Sequence, residues 1–559
     1  MTLLSHGQAL SQDQVVAAIY ETMIRPEQFD RFTPGAQDGP GAAAARGAPQ
    51  GRPRAVPFLQ AHFARAAEIQ EQQWQRAGRP HPGAYSGNCS RFWLLAEARA
   101  DGGLLNASQR AARQLTGTVP LPAALGLTEA AAELWQSYLE DVRCGDFSWR
   151  DVLLLASRTP GEQFLCRPVR LSGADAPVAV MAERLEGGWT AEAAVPVAAA
   201  LGLQEADFAA LKDTADSAGG KVDGRLEQAA GEAGAPGPAE LIRLAVFLMN
   251  ERSRDLAVSR GEVLPPSGTF EDSAGRRSQY FRLGAETGQP VIFVHGMLDG
   301  IAPLQRLQPQ LRTLGFRVYA PLRRGYGGSV PLKRGEDPAD AFVRQLIALM
   351  AHENLQRPVL LCHRGGALYG FIAASRLDSR IAGLVAAASN CAISSPRQFS
   401  GLSGYAWLVA QAATRANWLL PVLMRGWAAA LRWYGHKTLL RIQTRSGSKE
   451  RARLSQLDLL QLLQQSQVLF QEQGGAGFMA DVQMLRQGTR TGIPARVPRS
   501  VFVHGGEDHV APLSVVREML NGLPDARLCI SQEAGALLFY NYPELVLTAL
   551  QDLTSASDG

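Results

Sequence analysis

The chain has 559 residues, more than one ordinary hydrophobic core supports, so two to four domains are expected. Hydrophobic residues make up 46% and charged residues 19%, the balance of a soluble globular protein. A formal net charge of +4 is small for this length and gives no electrostatic reason to expect nucleic acid or an anionic membrane as partner.

In chain order, residues 11–32 read as one helix, with Val15, Val16, Ile19, Tyr20 and Met23 at helical spacing. "TPGAQDGPGAAAARGAPQGRPRAVP", residues 33–57, is a low-complexity loop, and "FLQAHFARAAEIQEQQWQRAG" predicts a second helix, so 1–89 is taken as an N-terminal helical segment. "SRFWLLAEARADGGLLNASQRAARQLTG" then predicts strand, glycine turn, strand and helix. Residues 195–250 are helical and rich in alanine and acids, and a hinge at "LPPSG" leads into the last segment. From about 278 onward the apolar runs "SQYFRL", "PVIFVHG", "FRVYAPL", "RPVLLCH", "IAGLVAAAS" and "RSVFVHG" alternate with helical patterns. Continuous apolar strands separated by helices predict a parallel sheet covered on both faces.

The cysteines at 89, 144, 166, 362, 391 and 529 show no CxxC pair and no zinc spacing, which suits reduced thiols in a cytoplasm. No metal and no cofactor is expected. The N-terminus is too polar for a secretory signal. "GYAWLVAQAATRANWLLPVLMRGWAAALRWY" is broken by Arg415, Asn417 and Arg425, so it reads as amphipathic helices over a pocket rather than a membrane span. The expected location is cytoplasmic.

Five blocks carry a resemblance. "VIFVHGMLDG", "APLRRGYGGS", "CHRGGA", "VFVHGGEDHVAP" and "ISQEAGALLFYNYPELV" follow one another at the spacing of α/β-hydrolase motifs, so residues 265–555 resemble that family over the length of its fold. The resemblance implies an oxyanion loop at His295, Gly296 and Met297, a nucleophile elbow at "CHRGGA", an acid at Asp508 and a base at the position of Ala536. It also implies that the insertion 393–495 is a helical lid, whose Trp407, Trp418, Trp427, Trp433 and Tyr434 suit an apolar ligand or simply pack the lid down.

The chemistry departs from the family. Arg364 stands in the nucleophile's place, and a guanidinium only donates. Ala536 cannot accept a proton, so of the three roles only Asp508 remains and a serine-hydrolase mechanism is not expected. Cys362 is the alternative nucleophile, read against a small apolar residue ending a buried strand. Buried arginine requires an anion. Two are open: Asp508, reached directly across the space left by Ala536, or a small apolar carboxylate or phosphate ligand held by Arg364 with His295, Gly296, Met297, Gly365 and Asp508 around it.

"FWLLAEARADGGLLNASQRAARQL" resembles the opening of a PAS domain, with Asp101, Gly102 and Asn106 in the turn and helix-start positions and Ala111 nearby. "EQFLCRPVRLSGADAPVAVMAERLEGG" supplies closing strands, giving a PAS-like α+β domain over 90–190. Residues 195–250 faintly resemble a LuxR-type helix-turn-helix that has lost its middle. Its remaining "KVDGRLEQAAGEAG" has few bases for phosphate contact. The whole order, multidomain α/β with a lidded hydrolase-like C-terminal domain, resembles bacterial regulators. The expected function is a non-catalytic sensor or scaffold that binds a small apolar acid or ester, or a protein partner, or dimerises through the PAS-like region. An esterase-like hydrolase with an unconventional nucleophile and a LuxR-type DNA-binding regulator are the alternatives.

Overall fold

A computed structural model of the chain describes residues 120–148, 150–160, 162–170, 178–186, 191–204, 219–222, 224–297, 300–389, 404–415, 472–491, 497–521 and 525–555, with shorter stretches that include 59–66, 93–97, 104–107 and 450–452. The chain forms two compact units, Met1–Arg254 and Asp255–Gly559.

The first unit is built on a six-stranded antiparallel sheet. Its strands are β1 (Trp93–Glu97), β2 (Leu104–Ala107), β3 (Leu153–Ala156), β4 (Glu162–Arg170), β5 (Val178–Glu186) and β6 (Gly219–Lys221), in the order β2-β1-β5-β4-β3-β6. Leu153 and Leu155 lie in one core and Val152 and Leu154 in another, the period of two expected of a strand buried on both faces. The first face is covered by α1 (Glu129–Cys144) through Trp135, Tyr138, Leu139 and Val142. Thr128 caps that helix by accepting from the Ala131 amide at 3.2 Å, and Gly145 ends it at φ +80°.

The second face is covered by α2 (Ala191–Leu201), α3 (Gly224–Ala233) and α4 (Pro238–Arg260), together with Val15, Ile19, Leu59 and Phe63. Residues from 1–89, 90–190 and 195–250 share this one core. The reason is size, because none of the helical segments buries its apolar face alone. Two further details differ. Residues 195–250 contain a strand, β6, paired to β3, and Asn106 lies within β2 opposite Leu95 rather than opening a helix. Ala111 and the loop 33–57 lie outside the described residues.

The second unit holds an eight-stranded sheet of β7 (Ser267–Glu271), β8 (Arg277–Gly284), β9 (Gln289–Val294), β10 (Phe316–Pro321), β11 (Val359–His363), β12 (Gly383–Ala387), β13 (Ser500–Gly505) and β14 (Ala526–Ser531). The order is β7-β8-β10-β9-β11-β12-β13-β14, with β8 antiparallel to both neighbours and the strands from β10 through β14 mutually parallel. Every residue of β11, β12 and β13 is buried, as their unbroken apolar sequences require. Ile292, Val294, Leu360, Cys362, Leu384 and Phe502 face a core shared with α5 (Pro338–His352) and α6 (Gly366–Leu377). Val291, Phe293, Leu361, Val385 and Val503 face the other way, toward α10 (Pro543–Ser555).

Within the 393–495 insertion the described elements are α7 (Gly404–Arg415), residues around 450–466 and α8 (Ala476–Thr491), with α9 (Leu513–Leu520) following β13. Ala412, Ala413, Leu420, Phe478 and Val482 pack into the sheet core. The return helix α8 is fastened by a buried ion pair. Asp481 accepts from Arg323 Nε at 3.2 Å and Nη2 at 2.5 Å, and Tyr326 adds its hydroxyl at 2.8 Å. The Arg323 guanidinium also lies over the Tyr369 ring at 4.7 Å and donates to the His295 carbonyl. No helix among the described residues is long and apolar enough to cross a membrane.

Removing one partner of such a pair strands the other charge. Asp481→Ala is expected to cost the second unit about 3–5 kcal/mol in urea unfolding. A loss below about 1 kcal/mol would show that the pair is not what holds α8.

Candidate functional site

The functional candidates gather at the carboxyl ends of β9, β11, β12 and β13, where ligands bind in open α/β sheets. After His363 the chain turns through Arg364 at φ +49° into α6. A non-glycine residue in that region costs on the order of 1–3 kcal/mol. The turn is held by the Arg364 amide donating to the Ala387 carbonyl at 3.0 Å and by the Ala367 amide donating to the Arg364 carbonyl at 3.1 Å. It is also tight: a Cβ on Gly366 would stand 2.2 Å from the Val294 carbonyl oxygen. This is an elbow, with a buried arginine, 8% exposed, at its apex.

The His295–Met297 loop after β9 lies beside it. Met297 covers the elbow, its Cγ 3.2 Å from where a Cβ on Gly365 would be. His295 is committed to structure. Its Nε2 accepts from the Arg323 amide at 3.1 Å, so Nδ1 carries the proton that is donated to the Gly296 carbonyl at 2.7 Å. Burial and then the charge of Arg323 push its pKa well below the usual range, keeping the ring neutral. Cys362 points elsewhere: its Sγ packs where a Cβ on Gly370 would fall, 2.2 Å away, in the interface of β11 with α6. Burial pushes that thiol up, away from the thiolate a nucleophile needs.

Asp508 occupies the turn after β13. Its Oδ1 accepts from the Val510 and Ala511 amides at 2.8 and 2.9 Å, while Oδ2 is buried with no hydrogen-bond partner. His504 Nε2 stands 3.8 Å from Oδ2 but donates instead to the Ala511 carbonyl at 2.8 Å. Asp508 Oδ1 thus finds its hydrogen-bond partners within its own turn.

Against the backbone on either side of Ala536, itself 1% exposed, lies a residue the sequence did not single out. Glu450, from the insertion and 6% exposed, accepts from the amides on both sides of Ala536, Gly535 at 3.1 Å and Leu537 at 2.9 Å. It lies so close that a Cβ on Gly535 would meet its Oε2 at 2.4 Å. Burial pushes the Glu450 carboxyl up and the charge of Asp508 adds to this, while the two amide bonds and the charge of Arg364 hold it partly down. The Glu450 carboxyl thus lies within the electrostatic reach of both an arginine and a second carboxylate. In "SGSKERAR" a glutamate reads as surface charge, and nothing local marks it.

Among the described residues no cluster of acids, histidines and cysteines suits a metal. Of the insertion's aromatics, Trp407 is 46% exposed on α7, while Trp418, Trp427, Trp433 and Tyr434 lie outside the described residues.

A family model described as alpha/beta hydrolase fold matches residues 289–543. Solved structures similar to this chain include a thermophilic esterase from Thermogutta terrifontis, 19% identical over 52% of this chain and 99% of that one, TM-score 0.38. An esterase from Exiguobacterium antarcticum is 16% identical over 51% and 98%, TM-score 0.39. An alpha/beta hydrolase fold protein from Nakamurella multipartita is 20% identical over 53% and 100%, TM-score 0.40. Residues 289–543 have an α/β-hydrolase fold.

The raised pKa of Glu450 has a defined sign in stability. A carboxyl that binds its proton more tightly when folded stabilises the fold fully below the ordinary value of 4.5 and loses that contribution as pH rises through the raised value. The difference in melting temperature between wild type and Glu450→Gln is expected to move against the wild type as pH climbs from 4.5. A pH-independent difference would contradict the placement of this group.

Proposed function

We propose that the chain is a non-catalytic regulatory protein in which a hydrolase scaffold binds a small apolar carboxylic acid or related anion instead of cleaving an ester. The observation that carries this reading is the replacement of both proton-handling groups at once. Arg364 at the apex of the elbow cannot attack a carbonyl, and Glu450 rather than a histidine sits against the amides flanking Ala536. A buried guanidinium beside backbone donors suits an anion, through charge-assisted bonds worth on the order of 1.5–3 kcal/mol each. Cys362 packed against Gly370 weighs against the unconventional-nucleophile reading.

The sensory part of the reading rests on the first unit. Two strands, a helical stretch and three closing strands in the antiparallel order β2-β1-β5-β4-β3 support a PAS-like domain, with dimerisation through it as the proposed partner contact. DNA binding receives less support. α3 buries Leu226, Ala229, Ala230 and Ala233, its exposed side carries Glu227 and Glu232, and Arg225 is paired with Asp207 at 3.0 Å. A cytoplasmic location is part of the same proposal.

The test is direct. The full chain is expected to neither turn over short-chain p-nitrophenyl esters nor label with a fluorophosphonate. Arg364→Ser alone should leave it silent, whereas Arg364→Ser combined with Ala536→His and Glu450→Ala should label. Turnover by the wild type that disappears in Cys362→Ala would overturn the proposal in favour of a cysteine hydrolase.

A further inference from the structure

Among the described residues the two sheets end on β2, β6, β7 and β14. Most of these borders carry devices that keep an open strand from pairing. β2 and β6 are only four and three residues long. β7, "SGTFE", follows Pro265 and Pro266, contains Gly268 and ends on a glutamate. β14, "ARLCIS", is different. It runs six residues beside β13 in unbroken register, from Ala526 opposite Ser500 to Ser531 opposite Gly505, with no proline, glycine or lysine. Its charge, Arg527, is drawn to Asp552 of α10 at 3.0 Å.

The backbone shows which groups of β14 are left over. The Gly506 amide donates to the Ser531 carbonyl at 2.8 Å, so Ser531 turns its polar groups toward β13. Successive strand residues turn theirs to opposite sides, so Cys529 shares that direction, while Leu528 and Ile530 present N–H and C=O to the open border. Among the described residues neither makes a backbone hydrogen bond there. This free set is complementary to itself. Turned about a two-fold axis at Cys529, Leu528 of one copy meets Ile530 of the other, and every one of those donors and acceptors is matched. A centre at Leu528 calls instead on the Ala526 amide, already given to the Leu523 carbonyl at 3.2 Å, and a centre at Ile530 calls on Gln532, beyond the strand. We propose that β14 is a dimerisation border, which pairs antiparallel with β14 of a second copy of this chain about a two-fold axis at Cys529. This inference does not depend on the function proposed above.

The border is also large enough. α9 lies on one side of it, where Met519 and Leu520 join the same core as Ala526 and Leu528, and α10 lies on the other. A strand of this length runs about 20 Å, and helix, sheet and helix are each roughly 10 Å deep, so each copy offers on the order of 600 Å². A standard stable interface takes about 800 Å² from each partner. Leu528, Cys529 and Ile530, half-buried in one chain, are covered by the pairing. At the exposed ends Asp525 falls opposite Glu533 of the other copy, a like-charge contact that water and salt weaken. On the axis the two Cys529 residues form a non-hydrogen-bonded pair with Cα atoms about 4.5 Å apart, within the span of a disulfide.

Mass and cross-linking of the full chain test this. Sedimentation at micromolar concentration should give an even number of chains, and Ile530→Pro should halve the mass. That substitution removes an amide that β13 does not use, so circular dichroism should show the fold retained. The oxidant diamide should join wild-type chains through Cys529, and Cys529→Ser should lose the link while keeping the wild-type mass. Should Ile530→Pro fail to fold, cross-linking decides. Wild-type chains that sediment singly or form no link have this border covered by their own residues or by another protein, and overturn the proposal. A folded Ile530→Pro of wild-type mass overturns it too, as does a diamide dimer that survives Cys529→Ser.

Discussion

Arg323 is the residue around which the second unit is organised. A guanidinium with only 3% of its side chain exposed must be matched on all its donors, or burial costs several kcal/mol. The match comes from three places: Asp481 on α8, the His295 carbonyl after β9, and the face of Tyr369 on α6. The same residue's amide fixes the tautomer of His295. One charge thus requires the insertion to return to the sheet 158 residues later, and requires the loop next to the elbow to keep one shape. The return helix α8 and the loop beside the elbow are parts of one electrostatic arrangement.

A second charge pattern lies beside it. In a hydrolase the elbow carries a neutral hydroxyl and the base a neutral ring, so only the acid is charged at rest. Here the apex is permanently positive, and a carboxyl occupies the neighbouring seat. The scaffold is unchanged and the resting charges are rearranged.

How much of this the sequence disclosed follows from physics. The inner strands β9 to β13 were legible because burial on both faces forces continuous apolar runs. The edge strands were not: β7, "SGTFE", buries one phenylalanine, and β14, "ARLCIS", is only partly buried, so neither carries a signature. Arg364, Ala536 and Asp508 were legible because each sits in a motif whose backbone shape dictates its neighbours. Glu450 was not, because its partners lie 85 and 87 residues away and its local sequence is a charged run.

The short strand β6 has a consequence for how the first unit is made. It closes the open edge of β3, through Leu153, Leu154 and Leu155, with residues 219–221. Until that segment leaves the ribosome, three consecutive leucines present unpaired backbone at a sheet edge, the template on which foreign strands add. The unit cannot shield this edge co-translationally before about residue 221 is available, so a nascent chain stalled earlier carries a sticky border.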